Sequence, residues 1–272
     1  MSPPFAEPSS LVEPVPAEAA GLGNSVARLR LERLARSAKP FVARGSRMER
    51  CEQCRLALSH CLCAWRPQVA ARSAVCLLMH DIEALKPSNT GWLIADVVAD
   101  NSAFGWSRVE VDERLLALLD DPQWQPYVVF PGEYAAPERV VQTVAPASGK
   151  RPLFILLDAT WTEARKMFRK SPYLDRFPVL SLTPEQQSRY RLRRSTRGEH
   201  LCTAEVAALC LELAGDAQAG EALDAYLDVF SERYLGFKRS LPLDEQSAAH
   251  QRLRPFVGRA AAAGRADSAG GA

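Results

Sequence analysis

Residues 153–171 read LFILLDATWTEARKMFRKS: five apolar residues end on Asp158, and the chain passes through Thr160 and Trp161 into a basic, helix-like stretch. This handover from apolar run to helical pattern recurs along the chain and limits its folds more than any other feature. Residues 74–79, 127–130, 154–157 and 179–182 read as strands, and 91–99, 160–168, 203–213 and 222–234 as helices. Strand and helix in alternation predict an α/β fold with a mostly parallel sheet. In such sheets ligands collect beyond the carboxyl ends of the strands. Three predicted strands carry polar or turn residues there: His80-Asp81, Pro131-Gly132-Glu133 and Asp158. No internal repeat is visible. Neither GxGxxG nor GxxxxGK[ST] occurs, so the nucleotide folds that use those loops lose support.

The ends differ from the middle. Residues 1–24 are rich in Pro, Ala, Glu and Ser, and 257–272 in Ala, Gly, Arg and Ser; both read as disordered. The expected organisation is a tail with a short basic helix (1–46), a cysteine knuckle (47–68), an α/β domain (69–240) and an extended or disordered tail (241–272). No apolar run approaches the roughly 20 residues that span a membrane. No basic segment followed by an apolar one opens the chain, so no secretory signal is expected. The expected compartment is the cytoplasm, where the seven cysteines stay reduced.

Four of those cysteines fall within CEQCRLALSHCLC, residues 51–63. Cys51, Cys54, Cys61 and Cys63 form two short chelating pairs that suit one tetrahedral, structural Zn²⁺. An iron–sulfur cluster, or His60 in place of one thiolate, are the alternatives. Arg50 and Arg55 flank the knuckle and would offset its negative charge. Four protein ligands leave no open position, so such a metal braces the structure. Cys76, Cys202 and Cys210 read as small buried hydrophobes.

The formal net charge is only +2, yet residues 28–72 hold eleven Lys/Arg against three acids, and 165–197 ten against two. Two basic segments on a near-neutral chain point to a polyanion partner. Arg189, Arg191, Arg193, Arg194 and Arg197 are equipped to grip phosphates, with Tyr190 available to stack on a base. The helix carrying Arg165, Lys166 and Arg169 adds a second basic face. Asn89-Thr90-Gly91 opens a helix, with Ser88 or Asn89 as its cap, and a helix start binds an anion or carboxylate. Thr203 and Glu205 open another. Asp158 can accept a proton or hold a donor, and Trp161 either walls a flat-ring pocket or plugs the core.

These blocks, in this order, resemble the DTW-domain family. Asp158-Ala159-Thr160-Trp161 is similar to its D-x-T-W signature, with Ala159 where Gly is common. The cysteine knuckle resembles its N-terminal zinc site. His80-Asp81-Ile82-Glu83 with Asn89-Thr90-Gly91 resembles its H-P-x-E…N-T-G block, with Asp81 where Pro is usual. Tyr190-Arg191-Leu192-Arg193 and Thr203-Ala204-Glu205 resemble its Y-x-L-R and T-x-E blocks. The resemblance covers roughly 48–235. It implies a SPOUT-like (α/β knot) fold and a tRNA-uridine aminocarboxypropyltransferase that uses S-adenosylmethionine and releases 5′-methylthioadenosine. On this reading Asp158, Thr160 and Trp161 form the catalytic turn, with Asp158 as base or as holder of the donor's ammonium. Asn89, Thr90, Gly91, Arg193, Thr203 and Glu205 would hold the donor, and Trp161 with Pro131-Gly132 its adenine. Arg165, Lys166, Arg169, Arg189, Tyr190, Arg191, Arg194 and Arg197 would bind tRNA. A SPOUT-like methyltransferase and a non-catalytic RNA-binding module are the rivals. No feature points to a membrane or an obligate protein partner.

Overall fold

A computed structural model describes residues 23–38, 48–145, 147–183 and 201–258. Its centre is a six-stranded sheet: β1 (Ala74–Met79), β2 (Asn101–Gly105), β3 (Trp124–Val129), β4 (Val140–Val141), β5 (Arg151–Asp158) and β6 (Val179–Leu180). The order across the sheet is β2-β1-β5-β3-β6-β4, and every pairing is parallel. A parallel sheet needs a crossover between neighbours and is covered on both faces, which explains the unbroken apolar runs. Every residue of β1 is buried. Val75, Leu77 and Met79 face one core, with Phe154 and Leu156; Ala74, Cys76 and Leu78 face the other, with Leu153 and Ile155.

The helices are α1 (Ser25–Ala35), α2 (Gly91–Val97), α3 (Glu113–Asp120), α4 (Trp161–Arg169), α5 (Thr203–Leu213), α6 (Ala217–Lys238) and α7 (Ala248–Leu253). The first core joins the sheet to α1, α2, α5, α6 and α7, and the second to α3 and α4. Strand β2 was not foreseen, because its five residues open on Asn101 and Ser102, bury only Phe104 and lie at the sheet edge. Neither α3, the two-residue β4 nor α7 was foreseen. Helix α6 is longer at both ends than the expected 222–234. α1 packs through Val26 and Leu29, and Asn24 caps it, its Oδ1 accepting the Ala27 N–H at 3.0 Å.

The stretch 241–258 belongs to what was expected as an extended or disordered tail (241–272), and it is structured. It carries α7, with His250 and Leu253 fully buried, and Val257 bridges to Pro67. Arg233 of α6 is buried beside it. Its Nε donates to His250 Nε2 at 3.0 Å, its Nη2 donates to Glu245 at 3.0 Å, and its Nη1 donates to the Cys61 carbonyl. One guanidinium thus ties the C-terminal segment to the cysteine knuckle. No described helix is long and apolar enough to cross a membrane.

Because His250 Nε2 accepts from Arg233, the ring stays neutral; burial first, then Arg233, lowers its pKa to about 4. The unfolded chain therefore takes up this proton at higher pH than the folded one. The stabilisation is complete above about pH 6.5 and is lost as pH falls towards 4. Thermal melts of wild type and His250→Gln should show a gap that narrows over that window. A gap independent of pH would contradict a neutral His250.

Candidate functional site

The carboxyl ends of β1 and β5 lie side by side, with Met79 paired to Asp158. Asp158 is 4% exposed. Its Oδ2 accepts from Asn89 Nδ2 at 2.7 Å, and its Oδ1 accepts from Thr203 Oγ1 at 2.8 Å. Its main-chain carbonyl accepts the His80 N–H at 3.0 Å. Two stretches distant in sequence, 80–89 and the start of α5, therefore close on one residue. Asn89 Oδ1 also accepts the Trp92 N–H at 3.3 Å, and Thr90 Oγ1 accepts the Ala204 N–H at 3.3 Å, stitching the start of α2 to that of α5. Two helix N-termini near one carboxylate favour its charge. Burial pushes the Asp158 carboxyl up, while the Asn89 and Thr203 donors pull it back down. With one donor on each oxygen, Asp158 ties Asn89 and Thr203 to the end of β5, and burial outweighs those donors so that its pKa stays raised.

Thr160 caps α4 through a reciprocal pair with Glu163: its Oγ1 and N–H both donate to Glu163 Oε2, at 2.6 and 3.1 Å. These bonds hold the Glu163 carboxyl below the usual range. Glu163 Oε1 lies 3.4 Å from His80 Nδ1. Sequence reasoning missed Glu163, although T-x-x-E before an amphipathic helix is its signal. Trp161 does not plug the core. It is 43% exposed, stacked on Phe130 at 5.5 Å and 15° and edge-on to Tyr134 at 5.8 Å. The Pro131-Gly132 turn follows Phe130, and the Gly132 N–H donates to Ser181 Oγ at 2.9 Å. Arg165, Lys166 and Arg169 are exposed on the outer face of α4, while Ala164, Met167 and Phe168 are buried.

Thr203 is the first residue of α5, as expected of a helix start there, and its hydroxyl donates to Asp158. Glu205 is buried, and its Oε2 accepts the Cys202 N–H at 2.6 Å, so it caps its own helix. Arg189, Tyr190, Arg191, Arg193, Arg194 and Arg197 lie outside the described residues.

The four knuckle sulfurs lie within 4.8 Å of one another, with Cys51–Cys63 at 3.6 Å and Cys54–Cys61 at 3.8 Å. A tetrahedral ion with metal–sulfur bonds of about 2.3 Å needs sulfurs about 3.8 Å apart, so this donor set fits a metal ion. His60 is not part of the cluster and packs edge-on against Phe237 at 5.5 Å. Arg55 was expected to offset the charge of the thiolates; its charge does interact with that of Cys54, while its hydrogen bonds go elsewhere. In a left-handed backbone conformation (φ 63°), it donates to the carbonyls of Lys86 and Asn89 at 2.7 and 3.2 Å and covers the Trp92 ring at 3.8 Å. Full burial lowers its pKa to about 9. The knuckle is thereby bonded to the loop that supplies Asn89 to Asp158. All seven cysteines are unpaired, and burial pushes the Cys76 thiol up to about 12.

The DTW domain family matches residues 48–235. The tRNA-uridine aminocarboxypropyltransferase 2 of Drosophila melanogaster is 27% identical over 176 residues, which is 61% of this chain and 66% of the relative. The chain thus spans slightly less than two thirds of that relative's length. No solved structure matches.

A Cβ on Gly91 would lie 2.6 Å from Asp158 Oδ2 and 3.2 Å from Asn89 Oδ1. Asp158 is held from both sides and has no room to yield. Gly91→Ala should therefore destabilise the fold by about 1–3 kcal/mol, lowering the melting temperature by several degrees. An unchanged melting temperature would mean that the node is looser than described.

Proposed function

The chain belongs to the DTW-domain family, and from that premise we propose that it is a tRNA-uridine aminocarboxypropyltransferase. The reaction joins N3 of a tRNA uridine to the terminal methylene of the 3-amino-3-carboxypropyl group of S-adenosylmethionine. The N–C bond forms as the C–S bond breaks. The C–S electron pair stays on sulfur, 5′-methylthioadenosine leaves, and the N3 proton goes to a base. The sulfonium is already a good leaving group, so the protein's task is placement, with the methylene rather than the methyl facing N3.

The observation that carries this reading is the Asp158 node, where Asn89 and Thr203, one from each of two other sequence blocks, meet the D-x-T-W aspartate. Asp158 sets the spacing of the α2 and α5 starts. Asn89, Thr90, Gly91, Thr203 and Arg193 then receive the donor's carboxylate at these helix N-termini. The exposed Trp161 ring and the Pro131-Gly132 turn receive its adenine. Arg165, Lys166 and Arg169 on α4 bind tRNA phosphates, with the basic segment 189–197. We read the sheet as SPOUT-like. We read the knuckle as a structural Zn²⁺ site: four thiolates suit that ion and leave it no open position for chemistry.

Incubation with S-adenosylmethionine and unmodified tRNA should release 5′-methylthioadenosine, only when tRNA is present. Asp158→Ala should abolish the release. S-adenosylhomocysteine as the product would overturn the reaction in favour of methyl transfer. Metal analysis of the purified protein should find about one zinc per chain, lost together with thermal stability in Cys54→Ser. Iron with visible absorption would reassign the knuckle.

A further inference from the structure

Between α1 and the carboxyl ends of β1 and β2 lies an open cavity of about 450 Å³, lined by Arg33, Arg36, His80, Asp81, Trp106 and Ser107 among others. That volume suits a small ligand, and the place is where parallel sheets bind them. Its roof, α1, precedes the family match at 48–235. α1 is latched there by Arg33, which donates to both oxygens of Asp81 at 2.6 and 3.0 Å. The acid standing where the family usually has Pro thus has a partner from outside the family segment. The Arg36 guanidinium is exposed and makes no hydrogen bond or ion pair with the described residues, acting only at longer range on Asp81 and Asp112, so it can turn to an anion. Trp106 is fixed by its Nε1–H to Ser171 Oγ at 2.9 Å and stacks on His80, with centroids 6.0 Å apart and planes 24° apart. The cavity therefore has an aromatic wall and, at Arg36, an exposed cation that is not hydrogen-bonded to any described side chain.

His80 joins this cavity to the Asp158 node. Its Nδ1 is buried without a hydrogen bond and lies 3.4 Å from Glu163 Oε1, whose other oxygen Thr160 holds. A carboxylate beside Nδ1 favours the tautomer protonated there, leaving the Nε2 lone pair free. Each nearby carboxylate already has a partner: Asp158 accepts from Asn89 and Thr203, Asp81 pairs with Arg33, and Glu83 pairs with Lys86.

Resting on the function proposed above, we infer that this cavity receives the acceptor nucleotide and that His80 is the base for its N3 proton. The base of the nucleotide lies along Trp106, and its phosphate meets Arg36. As N3 bonds to the donor's methylene, the N3 proton passes to His80 Nε2, and the C–S electrons stay on sulfur. Glu163 is a positioning residue and acts through His80.

Steady-state kinetics and direct binding test this. His80→Gln should lower kcat by about 10²-fold or more, with tRNA and donor affinity unchanged. Glu163→Gln should lower kcat less, and the double variant should be no worse than His80→Gln alone. Arg36→Glu, a surface change, should raise the KM for tRNA about tenfold and leave that for S-adenosylmethionine unchanged. If the wild type releases methylthioadenosine and His80→Gln keeps its kcat, or Arg36→Glu its KM for tRNA, this inference is overturned while the function stands. A wild type that releases no methylthioadenosine overturns both.

Discussion

The buried carboxylate of Asp158 is the interaction on which the rest of the site depends. A carboxylate at 4% exposure is tolerable only with donors on its oxygens, and the chain supplies them from Asn89 and Thr203. Those two residues stand at the starts of α2 and α5. Satisfying one charge therefore fixes where two helices begin relative to the end of β5. Gly91 follows from the same constraint, since only a residue without Cβ fits against Oδ2. The motif aspartate is thus held by donors on both side-chain oxygens, and its main-chain carbonyl takes the N–H of His80, the residue that follows β1.

The cysteine knuckle is joined to this node by arginines rather than by apolar packing alone. Arg55 leaves the knuckle and bonds the carbonyl of Asn89, and Arg233 reaches back from α6 to the carbonyl of Cys61. Both guanidinium groups are almost fully buried, so their bonds are made away from competing water. A metal in the knuckle would hold the Asn89 loop in place from a distance. The two segments outside the family match behave alike: α1 latches onto Asp81, and α7 packs its His250 against Arg233.

Much of this was legible before the structure. Unbroken apolar runs such as AVCLLM and LFILL announced a parallel sheet, and β1 begins and ends where its composition changes. The elements that escaped were those whose stability comes from place rather than pattern. β2 is short, buries only Phe104 and lies at the sheet edge. α7 is six residues long and is held by a buried histidine. Isolated segments this short have no stability of their own, so their sequences carry little signal.

Sequence alone determined the alternating α/β order, the four-cysteine ligand set and the cluster of motif blocks at strand ends, because periodicity, chelate spacing and turn chemistry are local properties. Tertiary structure decided what those residues do to one another. Asn89, Asp158 and Thr203 are separated by 69 and 45 positions, and only the sheet order β2-β1-β5 brings their side chains within hydrogen-bonding distance. It also decided that Arg55 bonds the Asn89 loop as well as lying within electrostatic reach of Cys54, that Glu205 caps its own helix, and that Glu163 faces His80. A hydrogen bond is settled by distances of a fraction of an ångström, and those are fixed only when distant segments pack.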